Sequence, residues 1–171
     1  MQKQQLKYLF APLGVAVGIT VFITLSTRIS ASLGIGPLSN ALPMIPHPAF
    51  IVLGALLLLF WLPIFIAGIY ALDRRGAVGQ SATLRTHGIY KYVRNPMYSG
   101  ISFSIMGLGL VFDSGGVALA GALWLVLAAW QSKREEKELA GRFSSQYSAY
   151  RDTTPMLFPR PLPLLKEIFF R

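Results

Sequence analysis

The sequence contains two apolar runs that are each long enough to cross a lipid bilayer. One extends from Ala49 to Leu72 without a charged residue, and an earlier one extends from Leu9 to about Leu25 with its flanks. A membrane-spanning helix needs about 20 mostly apolar residues. A third apolar region, from Ser99 to Trp130, is interrupted by Asp113-Ser114-Gly115-Gly116, which predicts a tight turn between two helices. We therefore predict an all-α, polytopic membrane protein whose last two helices form a hairpin.

About four transmembrane helices are predicted, and they cover about residues 9–28, 49–72, 99–112 and 116–131. A charged stretch after residue 131 suits an exposed continuation of the fourth helix. Residues 30–48 contain many prolines and glycines, which predicts an extracytoplasmic loop without regular structure. We assign His47 no chemistry within that loop. The start of the chain also has the pattern of a signal peptide, but its apolar run is longer than the roughly 7–15 residues usual there, which favours an uncleaved helix.

Composition supports a membrane protein and excludes several kinds of site. Hydrophobic residues make up 53% of the 171 residues and charged residues only 13%, which is too apolar for a soluble domain of this length. The absence of cysteine excludes disulfides, thiolate catalysis and cysteine-bound metals. Only His47 and His87 could supply imidazole ligands, and they lie far apart in the sequence, so we predict no metal site.

The distribution of positive charge predicts the orientation of the helices. In the predicted topology, every lysine and arginine except Arg28 lies on one side of the membrane. The positive-inside rule places both termini and the polar loop after the second helix in the cytoplasm. The net charge of +9 is thereby explained by topology and by attraction to the bilayer surface, and we predict no nucleic-acid partner.

A polar segment from Thr83 to Gly100 is basic and aromatic at once, unlike an ordinary connector between membrane helices. Its glycine and proline residues exclude one continuous helix. A second polar cluster, Glu135-Glu136, follows the fourth helix, and the predicted hairpin brings the two clusters together. Arg94 with these carboxylates and aromatic walls could hold a ligand that has both an amino and a carboxylate group. Taken alone, the two glutamates also fit a solvated helix face.

The residues of both clusters form an ordered pattern. Its first half is Leu84-x-Thr86-x-Gly88-x-Tyr90-x-Tyr92-x-Arg94-Asn95-Pro96-x-Tyr98-x-Gly100, and its second half is Glu135-Glu136-x-x-Leu139, Phe143, Tyr147, Tyr150 and Pro159. This pattern resembles the isoprenylcysteine carboxyl methyltransferase family, one of a wider group of integral membrane methyltransferases that includes phospholipid N-methyltransferases. The resemblance covers residues 83–160, about half of the chain.

The resemblance implies that S-adenosylmethionine binds in a cytoplasmic pocket that the C-terminal segment closes, and that a lipophilic substrate arrives from the membrane. The cytoplasmic cofactor-binding segments are then residues 83–98 and 132–160. It also implies that Arg94 and Glu136 are catalytic and position the reacting groups. The cofactor contacts that it implies are Thr83, Leu84, Arg85, Tyr90, Asn95, Pro96, Met97, Tyr98 and Glu135.

Two positions depart from the family pattern. Asn95 stands where the family commonly has histidine, and an amide cannot carry a proton or a charge. Gln131 stands where eukaryotic relatives have an arginine that can contact the substrate. A carboxylate acceptor needs no base, whereas an amine acceptor would have to lose a proton, with Glu136 or Tyr98 as candidate bases. The short chain resembles prokaryotic members, which predicts the cytoplasmic membrane of a prokaryote.

Other readings give different expectations. A phospholipid-type N-methyltransferase would use the same cofactor with an amine acceptor. A membrane sterol reductase would bind a nicotinamide cofactor, but those chains have many more helices. A non-catalytic membrane scaffold would bind no cofactor, so substitution of Arg94 or Glu135 would leave ligand binding unchanged.

Overall fold

The computed structural model describes residues 17–18, 20–22, 24–71 and 84–160, and it contains no β-strand within these ranges. The predicted all-α class is thus confirmed for the described part of the chain. The helices are α1 at residues 24–32, with residues 17–18 and 20–22 also helical, α2 at Leu38–Ala41, α3 at His47–Ala71, a 3-10 helix at Gly88–Lys91, α4 at Pro96–Val111 and α5 at Gly115–Thr153.

Helix α3 is apolar on all sides and presents large side chains outward. Its exposed residues include Leu59 and Leu56, and its buried residues form a narrow set: Phe50, Gly54, Trp61, Ile64 and Gly68. Such a helix is either enclosed by protein or embedded in a membrane. Because most of its surface is not covered by the described chain, lipid is the environment that suits it.

Two described helices, α3 and α5, are long and apolar enough to cross a membrane by length and composition. Helix α4 has 16 residues, fewer than the about 20 that a span needs. It lies between α3 and α5, and its glycines permit close approach to both. A Cβ atom on Gly100 would lie 2.7 Å from Phe65 Cα, and one on Gly54 would lie 2.6 Å from the Gly107 carbonyl oxygen.

The predicted turn between the last two helices is present. Asp113 adopts a φ of 50°, and Ser114 Oγ accepts a hydrogen bond of 3.4 Å from Val117 N at the start of α5. The turn is attached to α2, because Ser39 donates from its backbone N to Asp113 Oδ1 at 2.8 Å and from its hydroxyl to Oδ2 at 2.5 Å. These hydrogen bonds hold the pKa of Asp113 below its usual range.

Where the structure describes them, the predicted ends of the apolar helices lie within four residues of the observed ends, apart from the end of the fourth helix. The helix expected at 49–72 is His47–Ala71, with Leu72 outside the described residues, and that expected at 99–112 begins three residues earlier, at Pro96. The fourth helix continues past residue 131 as α5 to Thr153, as expected for the charged stretch that follows its apolar part. Of the helix expected at 9–28, residues 9–16, 19 and 23 lie outside the described ranges, and its described end extends to residue 32.

The prediction that residues 30–48 lack regular structure is wrong. The segment contains the end of α1, the short helix α2 and the first residues of α3, where His47 is helical. Two of its prolines stand at helix starts, Pro37 as the N-cap of α2 and Pro48 in the first turn of α3. Proline is tolerated there because the first backbone N–H groups of a helix have no intrahelical partner.

A sharp bend in α5 sends the end of the described chain back toward the start of α4. Ser144 has non-helical backbone angles (φ 42°, ψ −113°) inside α5. After α5 ends, Arg94 N donates to the Pro155 carbonyl at 2.9 Å, and Asn95 N donates to the Met156 carbonyl at 3.1 Å. The segment of residues 154–160, called the tail here, therefore lies against the residues just before α4.

Candidate functional site

Four parts of the chain meet where α4 begins: residues 84–95, the first turn of α4, residues 131–136 of α5, and residues 147–157. Local sequence shapes this junction. Gly88 has a φ of 59°, which suits glycine and starts the 3-10 helix. Pro96 occupies the first position of α4. The side chain of Asn95, just before that proline, reaches the tail, and that of Tyr98, two residues after it, reaches α5.

Arg94 and Glu136 form an ion pair that is almost enclosed by protein. Arg94 NH1 lies 3.1 Å from Glu136 Oε1, and the two side chains are 10% and 17% exposed. Arg94 also donates to the hydroxyl of Tyr147 at 3.3 Å, and Tyr147 is 2% exposed. Within the described chain, Arg94 Nε is buried without a hydrogen-bond partner. The pair thus keeps hydrogen-bonding capacity that its own residues do not use.

Glu135 does not share the partner of Glu136, and its carboxylate accepts hydrogen bonds from two other side chains. The hydroxyl of Tyr98 donates to Glu135 Oε1 at 2.6 Å, and Gln131 Nε2 donates to the same oxygen at 3.1 Å. Consecutive residues on a helix do not share a face, so the two carboxylates line two sides of one junction. Both hydrogen bonds from described residues go to Oε1, which leaves Oε2 for another donor.

Tyr90 and Arg85 connect the segment before α4 to the rest of the site. Burial raises the pKa of the Tyr90 phenol, the nearby Arg85 opposes that rise, and the nearby Glu135 adds to it. The Tyr90 carbonyl accepts a hydrogen bond of 2.7 Å from the hydroxyl of Tyr150. Arg85 NH1 donates to the Ala71 carbonyl at the end of α3. The Tyr90 phenol therefore lies near enough to the Glu135 carboxylate to be affected by its charge.

Three other residues of the predicted site contact the tail or α3: Asn95, Pro96 and Met97. Asn95 donates from its side chain to the Met156 carbonyl at 3.3 Å, so the tail holds its amide. Pro96 and Met97 contact α3: a Cβ atom on Gly68 would lie 3.2 Å from Pro96 Cγ and 2.8 Å from Met97 Cγ. Leu84 is half-buried, and Thr83 lies outside the described residues.

Three further contributors were not among the predicted site residues. Gln131 bonds Glu135, Tyr147 bonds Arg94, and the carbonyls of Pro155 and Met156 accept from the backbone of residues 94 and 95. Gln131 stands one helical turn before Glu135, which is a spacing that could have indicated it. Tyr147 belongs to the sequence pattern. The two carbonyls carry no sequence signal, because every residue has one.

The arrangement can recognise a zwitterionic ligand. Glu135 Oε2 can accept a hydrogen bond from an ammonium group, and Arg94 can donate to a carboxylate. Both groups lie in a partly dehydrated junction, where charged hydrogen bonds are stronger than in water. The rings of Tyr90 and Tyr98 provide aromatic walls beside them.

The model of the phospholipid methyltransferase family matches residues 49–146, which is more than half of the chain. The matched region begins in α3 and includes Arg94, Tyr98, Glu135 and Glu136. Neither a comparison with curated proteins nor one with solved structures gave a match. The family is a group of integral membrane methyltransferases related to the isoprenylcysteine carboxyl methyltransferases that the sequence pattern resembles. The chain therefore belongs to the phospholipid methyltransferase family.

Proposed function

We propose that the protein transfers a methyl group from S-adenosylmethionine to a lipophilic acceptor at the cytoplasmic membrane face, with an isoprenylcysteine-like carboxylate as the acceptor. The observation that carries this proposal is the almost enclosed Arg94–Glu136 pair beside the Tyr98–Glu135 hydrogen bond. This cluster lies next to the ends of apolar helices in a chain of a methyltransferase family. The charge distribution supports cytoplasmic termini, and the resemblance of this short chain to prokaryotic members supports the cytoplasmic membrane of a prokaryote.

The residues of the site fit S-adenosylmethionine. Its amino acid end carries an ammonium and a carboxylate, which match Glu135 Oε2 and the buried Arg94 Nε donor. Asn95, Pro96, Met97 and Tyr98 are contiguous with Arg94, and Leu84, Arg85 and Tyr90 precede it. We assign these residues and Thr83 to cofactor binding. Bound there, the cofactor supplies a sulfonium methyl group that is already electrophilic.

The work of the protein in such a transfer is alignment and exclusion of water. Arg94 and Glu136 hold each other in place, and Tyr147 supports Arg94 from the far end of α5. The tail covers the junction, with Thr154 and Leu157 buried at 5% and 6% exposure. In transfer to a carboxylate, the acceptor oxygen bonds the methyl carbon as the carbon–sulfur bond breaks. No proton is removed, so the amide of Asn95 suffices.

The family match favours a second candidate, methylation of a phospholipid amine. An ammonium acceptor must lose a proton before its nitrogen can bond the methyl carbon. Glu136 and Tyr98 are the candidate bases, and Tyr98 already directs its hydroxyl proton to Glu135. A relay from amine through Tyr98 to Glu135 would meet the requirement without a histidine.

Methyl transfer to two lipids tests the proposal and separates the two candidates. Detergent-purified protein is incubated with S-adenosylmethionine labelled in its methyl group and with either an S-prenylcysteine or phosphatidylethanolamine. Label in a base-labile ester of the first lipid supports carboxylate methylation, and base-stable label in the second supports amine methylation. We expect Glu135→Gln to abolish transfer and Glu138→Gln, an exposed glutamate on the same helix, to retain it. Folded wild-type protein that labels neither lipid contradicts the proposal.

A further inference from the structure

Ser132 carries a buried hydroxyl that bonds to nothing in the structure. Its side chain is fully enclosed, and its Oγ has no hydrogen-bond partner within the described chain. Serines in apolar helices usually donate to a carbonyl one turn earlier. Ser99 and Ser102 of α4 do so, at 3.1 Å to Asn95 O and 2.7 Å to Tyr98 O. A buried polar group without a partner costs free energy, which calls for an explanation at this position.

The position of Ser132 places its hydroxyl next to the site. Along α5, Gly121, Ala128, Ser132 and Glu135 follow one another at helical spacing and share a face. That face packs on α4, because a Cβ atom on Gly121 would lie 2.8 Å from the Ser102 carbonyl oxygen and because Glu135 meets Tyr98. Ser132 therefore lies between α4 and α5, one turn before the two glutamates.

This turn is on the apolar side of the charged cluster. From Gly115 to Gln131 the helix carries no charged residue, and its charged part starts with Lys133 and Arg134. A lipophilic acceptor that reaches the cluster from the membrane passes this turn first. The buried Ser132 O–H, a donor without an acceptor within the described chain, is present at this end of the junction. Donors of this kind suit a ligand atom that is rich in lone pairs.

We propose that the Ser132 hydroxyl donates a hydrogen bond to an anionic oxygen of the lipophilic acceptor, either a carboxylate or a phosphodiester. This inference rests on the proposed function, because it assigns the acceptor's polar group to a place beside the methyl donor. Ser132 is then a residue that binds the acceptor and makes no contribution to cofactor binding.

Ser104 offers a matched control. It is also buried, at 7% exposure, and its Oγ also has no hydrogen-bond partner within the described chain. It lies between Gly100 and Gly107, whose close contacts are with Phe65 and Gly54 of α3. Ser104→Ala thus removes an equivalent hydroxyl from the interface with α3, away from the junction with α5.

Calorimetry on detergent-purified wild type, Ser132→Ala and Ser104→Ala tests the proposal. Each protein is titrated with S-adenosylmethionine, with an S-prenylcysteine carboxylate and with phosphatidylethanolamine in mixed micelles. We expect Ser132→Ala to bind the acceptor lipid about tenfold more weakly, as for loss of one hydrogen bond to a charged group. Its affinity for S-adenosylmethionine stays at the wild-type value, Ser104→Ala binds all three ligands as wild type does, and both variants melt at or above the wild-type temperature. The lipid whose affinity falls in Ser132→Ala shows whether Ser132 donates to a carboxylate oxygen or to a phosphodiester oxygen.

Three results would overturn the inference: equal lipid affinities of Ser132→Ala and wild type, an equal loss in Ser104→Ala, or no binding of either lipid by wild type. The proposed function fails separately. A wild-type protein that binds no S-adenosylmethionine refutes methyl transfer, whereas cofactor binding combined with lipid affinity that is insensitive to Ser132 refutes only the acceptor site.

Discussion

Removing Arg94 should destabilise the protein because it leaves the Glu136 carboxylate without its partner. Glu136 is 17% exposed and has a second carboxylate, Glu135, as its neighbour in the sequence. Breaking a buried pair by removing one partner costs about 3–5 kcal/mol, and the partial exposure here favours the lower end, about 3 kcal/mol. For a chain of 171 residues, this corresponds to a melting temperature about 6–12 °C lower.

A double-mutant cycle separates the pair from other effects of the substitutions. Arg94→Gln leaves a buried negative charge, and Glu136→Gln leaves Arg94 with the hydroxyl of Tyr147. The double variant leaves neither charge. We therefore expect its stability loss to be smaller than the sum of the two single losses, by about 2–3 kcal/mol.

Thermal unfolding in detergent at neutral pH, followed by circular dichroism, measures these differences. Glu138→Gln is the control because Glu138 is an exposed glutamate on the same helix, and its stability should change by less than about 0.5 kcal/mol. If the stability losses of the two single variants simply add up in the double variant, Arg94 and Glu136 do not stabilise each other.

Three further predictions concern packing, pH and the tail. Gly100→Ala should lower the free energy of unfolding by about 1–3 kcal/mol, because the added Cβ would collide with the Phe65 backbone. Gly141→Ala should raise it by up to about 1 kcal/mol, because no atom lies within 4 Å of the added Cβ. Equal changes in thermal unfolding of the two variants would contradict the close contact between α3 and α4. The lowered pKa of Asp113 means that its stabilising contribution is complete at neutral pH and is lost as the pH falls below about 4. Asp113→Asn should therefore have a melting temperature that is lower at neutral pH and less sensitive to acid than that of wild type, and parallel pH profiles would argue against this role. Truncation after Tyr150 removes the Pro155 and Met156 carbonyls from the site. Calorimetry should then show that S-adenosylmethionine binds at least about tenfold more weakly. Unchanged affinity would show that the tail does not close the site.

The apolar helices could be predicted from sequence because a single physical requirement determines them. A run such as Ala49 to Leu72 cannot be solvated, and its length matches a bilayer, so α3 was predicted to within two residues at its start. The prediction for residues 30–48 is wrong because it treats the prolines of that segment as helix breakers. Pro37 and Pro48 stand where helices begin, and composition alone does not distinguish the two uses of proline.

The meeting of Arg94 with Glu136 also followed from sequence, through the topology of the hairpin. A turn at Asp113 requires the residues before α4 and those late in α5 to lie at the same end of the pair. The individual partners did not follow, because pairing Arg94 with Glu136 and Tyr98 with Glu135 depends on the rotation of α5 about its own axis. Neither the spacing nor the composition of the sequence determines that rotation.

The contribution of the chain's end could not be predicted from local sequence. Ser144 has a positive φ at the bend, which is uncommon for a residue other than glycine. No sequence pattern predicts this conformation at a serine. That bend precedes Tyr147, which bonds Arg94, and the tail, which bonds the backbone of residues 94 and 95. These contacts depend on the folded path of the chain, and the two tail carbonyls would be available with any residue type.

Binding of S-adenosylmethionine tests most directly whether the junction at the start of α4 is the cofactor site. Calorimetry on detergent-purified protein compares wild type with Glu135→Gln and with the exposed control Glu138→Gln. We expect wild type and Glu138→Gln to bind with the same micromolar affinity, and Glu135→Gln to bind at least about tenfold more weakly, because a neutral amide replaces the carboxylate that faces the ligand's ammonium group. Folded wild-type protein that binds no S-adenosylmethionine, or Glu135→Gln that binds it as tightly as wild type, would contradict the assignment of this junction as the cofactor site.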